Sequence, residues 1–254
     1  MLDFKKELAK AVQHFWQVRG KQKKRQGGKG RKKDAGNRGA VTGGKHADGF
    51  VRLVAAIVKD AGLKNVEVHI SEKRLRTLPG FYRPSKEWDL VVLSDSNLLA
   101  AVEVKSQVGS FGNNFNNRVE EALGNATDFW AAYREGIFKP SQKPWLGYLF
   151  MLESRPESIR ATQRIKLNPY AVDEAFQERS YAKRYELVCE RLLRDRLYDS
   201  ACFFTSNADS GKRGEYNEPN EELSIRNFAI SLYARASAFA RAGKDPKLFD
   251  SGTK

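Results

Sequence analysis

Only two cysteines, Cys189 and Cys202, occur in the 254 residues, and both lie inside apolar helix-like and strand-like runs. A free thiol in such a place behaves as a small hydrophobe, so the chain is expected to fold without disulfides in a reducing cytosol. Long apolar runs are also missing. The longest, WLGYLFML at 145–152, is far short of the ~20 residues that span a membrane. The N-terminal MLDFKKELAKAVQHFW has no continuous apolar stretch of the signal-peptide kind. His14, His46 and His69 have no ligand spacing with cysteine or with each other, which removes the usual zinc patterns. These absences describe a soluble cytoplasmic protein without staples.

Acidic residues are absent from one further place. Residues 19–33, RGKQKKRQGGKGRKK, hold nine basic side chains and no acid, and so supply nine of the net +14 charges. An excess of this size favours a polyanionic partner through long-range attraction and counterion release. The stretch is too polar and glycine-rich to pack, so it reads as an arm that orders on nucleic acid, or else as a solubilising segment. Its candidate DNA contacts are Lys21, Lys23, Lys24, Arg25, Lys29, Arg31, Lys32 and Lys33, with Lys45 further on. The remaining chain is globular in composition, 41% hydrophobic and 30% charged. One domain is the simplest organisation: a helix and basic arm over 1–42, a core over 43–242 and a tail over 243–254.

Apolar spacing supplies the elements. Phe4, Leu8, Ala11, Phe15 and Val18 mark one face of an amphipathic helix that ends before the arm. Phe50, Val54, Ile57 and Ala61 mark a second helix, and Gly62 stands where a helix C-terminus favours a left-handed residue. NVEVHIS (65–71), WDLVVL (88–93) and LLAAVEV (98–104) read as strands, with turn formers Asp95, Ser96 and Asn97 between the last two. A long helix follows the asparagine cluster, with Val119, Leu123, Ala126, Trp130 and Tyr133 inward. Then come a buried strand (144–153), a charged helix (180–197), a strand (200–206) and a last helix from about Glu221 to Ala242. This order predicts an α/β fold, a mixed central sheet flanked by helices.

Two of the strands carry acids that a buried strand does not need. If Asp95 to Asn97 form a three-residue loop, residues whose numbers sum to 192 face each other, and Asp89 lies opposite Glu103. Two carboxylates so placed among Leu90, Val91, Val102 and Val104 repel unless something positive joins them. A divalent cation does so while keeping both groups as oxygen ligands; a shared proton is the alternative. Side-chain alternation puts Glu103, Lys105 and Gln107 on one face. Such a set can hold Mg²⁺ against a phosphodiester while Lys105 orients water or stabilises charge. The bland alternative is an ion pair between Asp89 and Lys105 on a half-exposed sheet.

The D-x(13)-E-x-K arrangement of Asp89, Glu103 and Lys105 resembles the PD-(D/E)xK nuclease core, with Trp88 where the motif has proline. GGKHADGF, WDLVV and EVKSQVGSFGNNFNNRVEEALGNATDFW are more specifically similar to the XhoI-type family of type II restriction endonucleases, over residues 43–133. That resemblance implies a restriction-endonuclease-like core and a Mg²⁺-dependent homodimer cutting both strands of a palindromic duplex. It also implies a cognate DNA methyltransferase as the functional counterpart, and CTCGAG as the sequence that known relatives recognise. A superfamily relative working in repair or junction resolution, and a non-catalytic basic DNA-binding protein, are the competing readings.

Other signals are weaker. In SFGNNFNNR (110–118), Asn113, Asn114 and Arg118 are candidate DNA contacts and Asn116 a candidate helix N-cap, since asparagine serves both purposes. GAVTGGKH (39–46) approaches a phosphate-binding loop but has His46 where the hydroxyl belongs and no strand before it. Asp48 and Gln107 are possible accessory residues of the carboxylate site. EKRLRTLPGFYRPSKE (72–87) reads as a basic loop, either gripping phosphates or covering a small satellite core.

Overall fold

A computed structural model describes residues 2–26, 47–63, 66–94 and 96–242. Lys29, Arg31, Lys32, Lys33 and Lys45, the loop at 39–46 and the tail at 243–254 lie outside them.

Helix α1 (Phe4–Gln26) buries Leu8, Ala11, Val12, Phe15 and Trp16, and α2 (Asp48–Asp60) buries Phe50, Val54 and Ile57. Gly62 takes φ +75° just past α2, the left-handed turn expected of it. Strand β1 (Val66–His69) is followed by β2 (Thr77–Pro79) and β3 (Ser85–Glu87), then β4 (Leu90–Ser94) and β5 (Asn97–Gln107). Helix α3 (Phe111–Arg134), strand β6 (Trp145–Glu153), the single turn α4 (Pro156–Ile159), helix α5 (Tyr181–Arg194), strand β7 (Ser200–Ser206) and helix α6 (Ile225–Ala242) complete the order. The sheet runs β1-β4-β5-β6-β7, antiparallel from β1 to β5 and parallel from β5 to β7. α3 and α5 provide the crossovers that parallel neighbours require.

Alternation along β4 and β5 divides the core. Leu90, Val92, Val102 and Val104 join α1, α2 and α6 on one face of the sheet. Val91 and Ala101 join α3 and α5 on the other. The sheet is covered on both faces, so β6 and β7 are buried along their whole length and mostly apolar.

Four expectations need correction. α1 does not stop before the basic stretch: it continues to Gln26, so Lys21, Lys23, Lys24 and Arg25 lie on its last turns. The segment 72–87 is not a plain loop, since β2 and β3 pair as a separate hairpin, Leu78 opposite Lys86. α3 begins before the asparagine cluster, with Ser110 as its N-cap, and this puts Asn116 inside the helix. Phe111 and Phe115 hold that first stretch against Tyr181 and Tyr185, and such packing overrides the weak helix propensity of asparagine. Leu123, expected inward, is 41% exposed, because Ala122, Asn125, Ala126 and Phe129 form the inner face of α3.

Candidate active site

The β4–β5 connection reaches the expected register by an unexpected route. Ser94 pairs with Asn97 and Leu93 with Leu98, so the loop is one residue shorter than the sequence suggests. A bulge between Val92 and Leu93 then restores the lost step, and Val92 faces Ala100, Val91 faces Ala101 and Leu90 faces Val102. One residue before β4, Asp89 donates its backbone N–H to Val102 O (3.2 Å) and accepts the Val104 N–H on its carboxylate Oδ2 (2.8 Å). Here β5 outruns β4, and the side chain takes the hydrogen bond that a longer strand would have offered. Asp89 and Glu103 are thereby brought together.

Glu103 is almost wholly buried, at 1% exposure. Lys105 Nζ pairs with its Oε1, and Lys86 Nζ, from β3, lies 2.8 Å from its Oε2. Burial pulls the Glu103 carboxyl upward, but Lys105 and Lys86 outweigh that and hold it below its ordinary value. Lys105 shows the converse: burial disfavours its charge, Glu103 more than compensates, and the ammonium is held above its ordinary range. Glu121, on α3, adds to that effect. Asp89 is the misfit. Burial first and the Glu103 charge second push its carboxyl from 3.8 to about 6, against the pull of Lys105, the Val104 N–H and Lys86.

The other sequence candidates fall in different places. Gln107, 5% exposed, donates its amide to the Gly109 carbonyl, away from the pair. Asp48 is exposed in the first turn of α2, a helix that packs on the sheet face opposite α3. Asn113 is exposed on the first turn of α3, whereas Asn114 donates its side-chain amide back to Ser110 O (2.9 Å). Arg118 pairs with Glu121 and its charge bears on Tyr148 and Tyr185, so this guanidinium turns toward the protein. Lys21 is exposed.

Lys86 and Glu121 escaped the sequence reading. For Lys86 the one available signal was its place in SKEWD, three residues before Asp89. The hairpin that delivers it is anchored twice. Arg76 donates to Trp88 O (2.6 Å) and Glu87 (2.8 Å). Buried Asp128 accepts the N–H groups of Phe81 (2.9 Å) and Tyr82 (2.8 Å) and the Arg83 guanidinium (2.8 Å).

Known proteins similar to this chain identify its family. The family model described as restriction endonuclease XhoI matches residues 21–218. The chain is 47% identical over 216 residues to the type II restriction enzyme BstVI of Geobacillus stearothermophilus, covering 82% of this chain and 94% of that one. It is 47% identical over 159 residues to the enzyme AbrI of Azospirillum brasilense, covering 62% and 70%. To XhoI of Xanthomonas vasicola it is 45% identical over 159 residues, covering 62% and 64%. No solved structure matches the chain. With its five-stranded mixed sheet flanked by helices, the chain belongs to the XhoI family of restriction endonucleases.

Proposed function

We propose that this restriction endonuclease hydrolyses both strands of duplex DNA at a palindromic site, CTCGAG by analogy with its relatives, with Asp89 and Glu103 as a Mg²⁺-binding pair and Lys105 as the catalytic cation. The observation that carries this reading is the convergence of Asp89, Glu103 and Lys105 where β5 runs past β4.

The donor set suits Mg²⁺. Among the described residues no three His, Cys, Asp or Glu side chains cluster as a metal cage, so the two carboxylates would be the acidic protein ligands. Mg²⁺ is commonly held by one or two carboxylates, several waters and a substrate phosphate oxygen, whereas structural zinc needs four protein ligands. Bound there, Mg²⁺ would supply the positive charge that polarises the phosphate and acidifies water. Asp89 and Glu103 would fix the place of that charge, and burial would keep competing water from their backs. Lys105, held protonated beside Glu103, serves as a donor to the attacking water or to a phosphate oxygen, not as the base.

The basic end of α1 and the arm beyond it would supply sequence-independent attraction to phosphate. Lys21 stands exposed to do so, followed by Lys23, Lys24 and Arg25. Asn113, exposed on the first turn of α3, is better placed to touch DNA than Asn114, whose amide is spent on Ser110 O. A palindromic target matches a two-fold homodimer. Such an enzyme works in the cytoplasm beside a methyltransferase that protects the same site.

Sequencing the ends of a Mg²⁺ digest of phage DNA tests the reading. Discrete double-strand cuts at one palindrome are expected, and CTCGAG identifies the site. Scattered nicks, or cuts confined to branched DNA, would overturn it.

A further inference from the structure

Lys86 belongs to the hairpin and not to the central sheet, yet its ammonium meets Glu103 Oε2 at 2.8 Å. The same Nζ donates to the Glu87 carbonyl at 2.8 Å and lies 4.6 Å from the centre of the Trp88 ring. Its side chain is 12% exposed. Lys105 takes the other oxygen, so each oxygen of Glu103 faces its own ammonium. With Asp89 ionised, the two acids and two lysines balance.

A divalent ion added to this balanced, buried set would stand against Lys86 with nothing to offset the repulsion. The hairpin cannot easily carry the lysine away. Trp88 and Arg76 exchange backbone and side-chain hydrogen bonds across its base, and Asp128 fixes its turn. The flexible four-carbon stem can move, and two resting places are already in reach: the Glu87 carbonyl and the Trp88 face.

We propose that Lys86 is a placeholder cation: in the metal-free protein it occupies Glu103 Oε2, and a divalent ion must displace it in order to bind. The inference rests on the reading of Asp89 and Glu103 as the metal pair. Displacement makes metal binding weak in the free protein and favoured when DNA arrives, because a phosphate gives the released ammonium a new partner. Metal loading and substrate binding are thus coupled through one side chain.

Calorimetric titration of Mn²⁺ into the full chain without DNA tests this. Lys86→Met is expected to bind Mn²⁺ about tenfold more tightly than the wild type, since it loses both a competitor and a like charge. Equal or weaker binding overturns the inference. Should Lys86→Met fail to unfold cooperatively in EDTA, Lys86→Arg decides instead. A forked guanidinium grips the carboxylate harder, so weaker Mn²⁺ binding supports the inference and equal or tighter binding overturns it. Asp89→Asn separates the two layers. If it abolishes binding while Lys86→Met changes nothing, only the placeholder fails. Binding that is absent from both the wild type and Lys86→Met, or indifferent to Asp89→Asn, counts against the metal pair itself.

Discussion

One hairpin touches two acidic sites, Asp128 at its turn and, through Lys86, Glu103 with its neighbour Asp89, and the two are treated in opposite ways. Asp128, 5% exposed, receives two backbone N–H groups and a guanidinium, and Arg83 also reaches Asn125 at 2.9 Å. Burial raises its carboxyl, but the N–H groups of Tyr82 and Phe81 and then Arg83 outweigh this and hold it below the ordinary range. Asp89 receives the Val104 N–H and has Glu103 as its neighbour, and its carboxyl rises to about 6. The contrast teaches how to separate a staple from a site. An acid whose lone pairs are filled by fixed donors stabilises the fold, whereas an acid placed beside another acid and left short of donors is a candidate for cation binding.

The largest effect expected is on chemistry. Glu103→Ala and Lys105→Ala should each lower single-turnover cleavage by about 10³-fold or more, while specific DNA binding persists. Asp128→Ala should leave the rate nearly intact at temperatures where it is folded. Undiminished cleavage by either of the first two would remove them from the site.

Stability should respond the other way round. Asp128→Ala takes the acceptor from three part-buried donors and should cost about 1–2 kcal/mol in urea unfolding. Asp89→Asn should instead stabilise the metal-free protein at pH 7.5 by about 1–2 kcal/mol, since the amide replaces a carboxylate whose ionisation the fold resists. A destabilised Asp89→Asn would show that Asp89 is a staple too.

The pH dependence follows from the same two shifts. Asp89 has a folded value above its ordinary 3.8, so the stability it contributes is complete below that value and is lost as pH rises through about 6. Asp128 is depressed, so its contribution is present above the ordinary carboxylate value and is lost as pH falls through its own lower one. Metal must displace a proton from Asp89 below about pH 6, and Mn²⁺ affinity should fall about tenfold per unit there. Calorimetric titration across pH 5–8 reads this fall. An affinity flat across this range would contradict the assignment of the raised group.

The smallest effect concerns the basic segment. Neutralising Lys21, Lys23 and Lys24 should weaken binding to all sequences alike and reduce the salt slope by about one unit for each phosphate left without its lysine. An altered recognition sequence would mean that this segment reads bases.

What the sequence disclosed followed the strength of local pattern. Strand β7 spans 200–206 as its run suggests, and the register that sets Asp89 beside Glu103 followed from assuming a three-residue loop over Asp95 to Asn97. That register nevertheless stands on a shorter turn offset by a bulge, two features that cancel and leave no trace at the site. The start of α3 was hidden because Asn113, Asn114 and Asn116 carry the local signature of a cap, while the helix is held by distant aromatic contacts. Lys86 was invisible for a simpler reason: β2 and β3 are three residues each, too short for periodicity to register.

Anomalous diffraction from a crystal soaked in Mn²⁺ measures the central claim most directly. A peak bridging the Asp89 and Glu103 carboxylates, with Lys86 Nζ drawn off Glu103 Oε2, is expected. Both lysines still on Glu103 and no peak between the acids, at an Mn²⁺ concentration that supports cleavage, would contradict it.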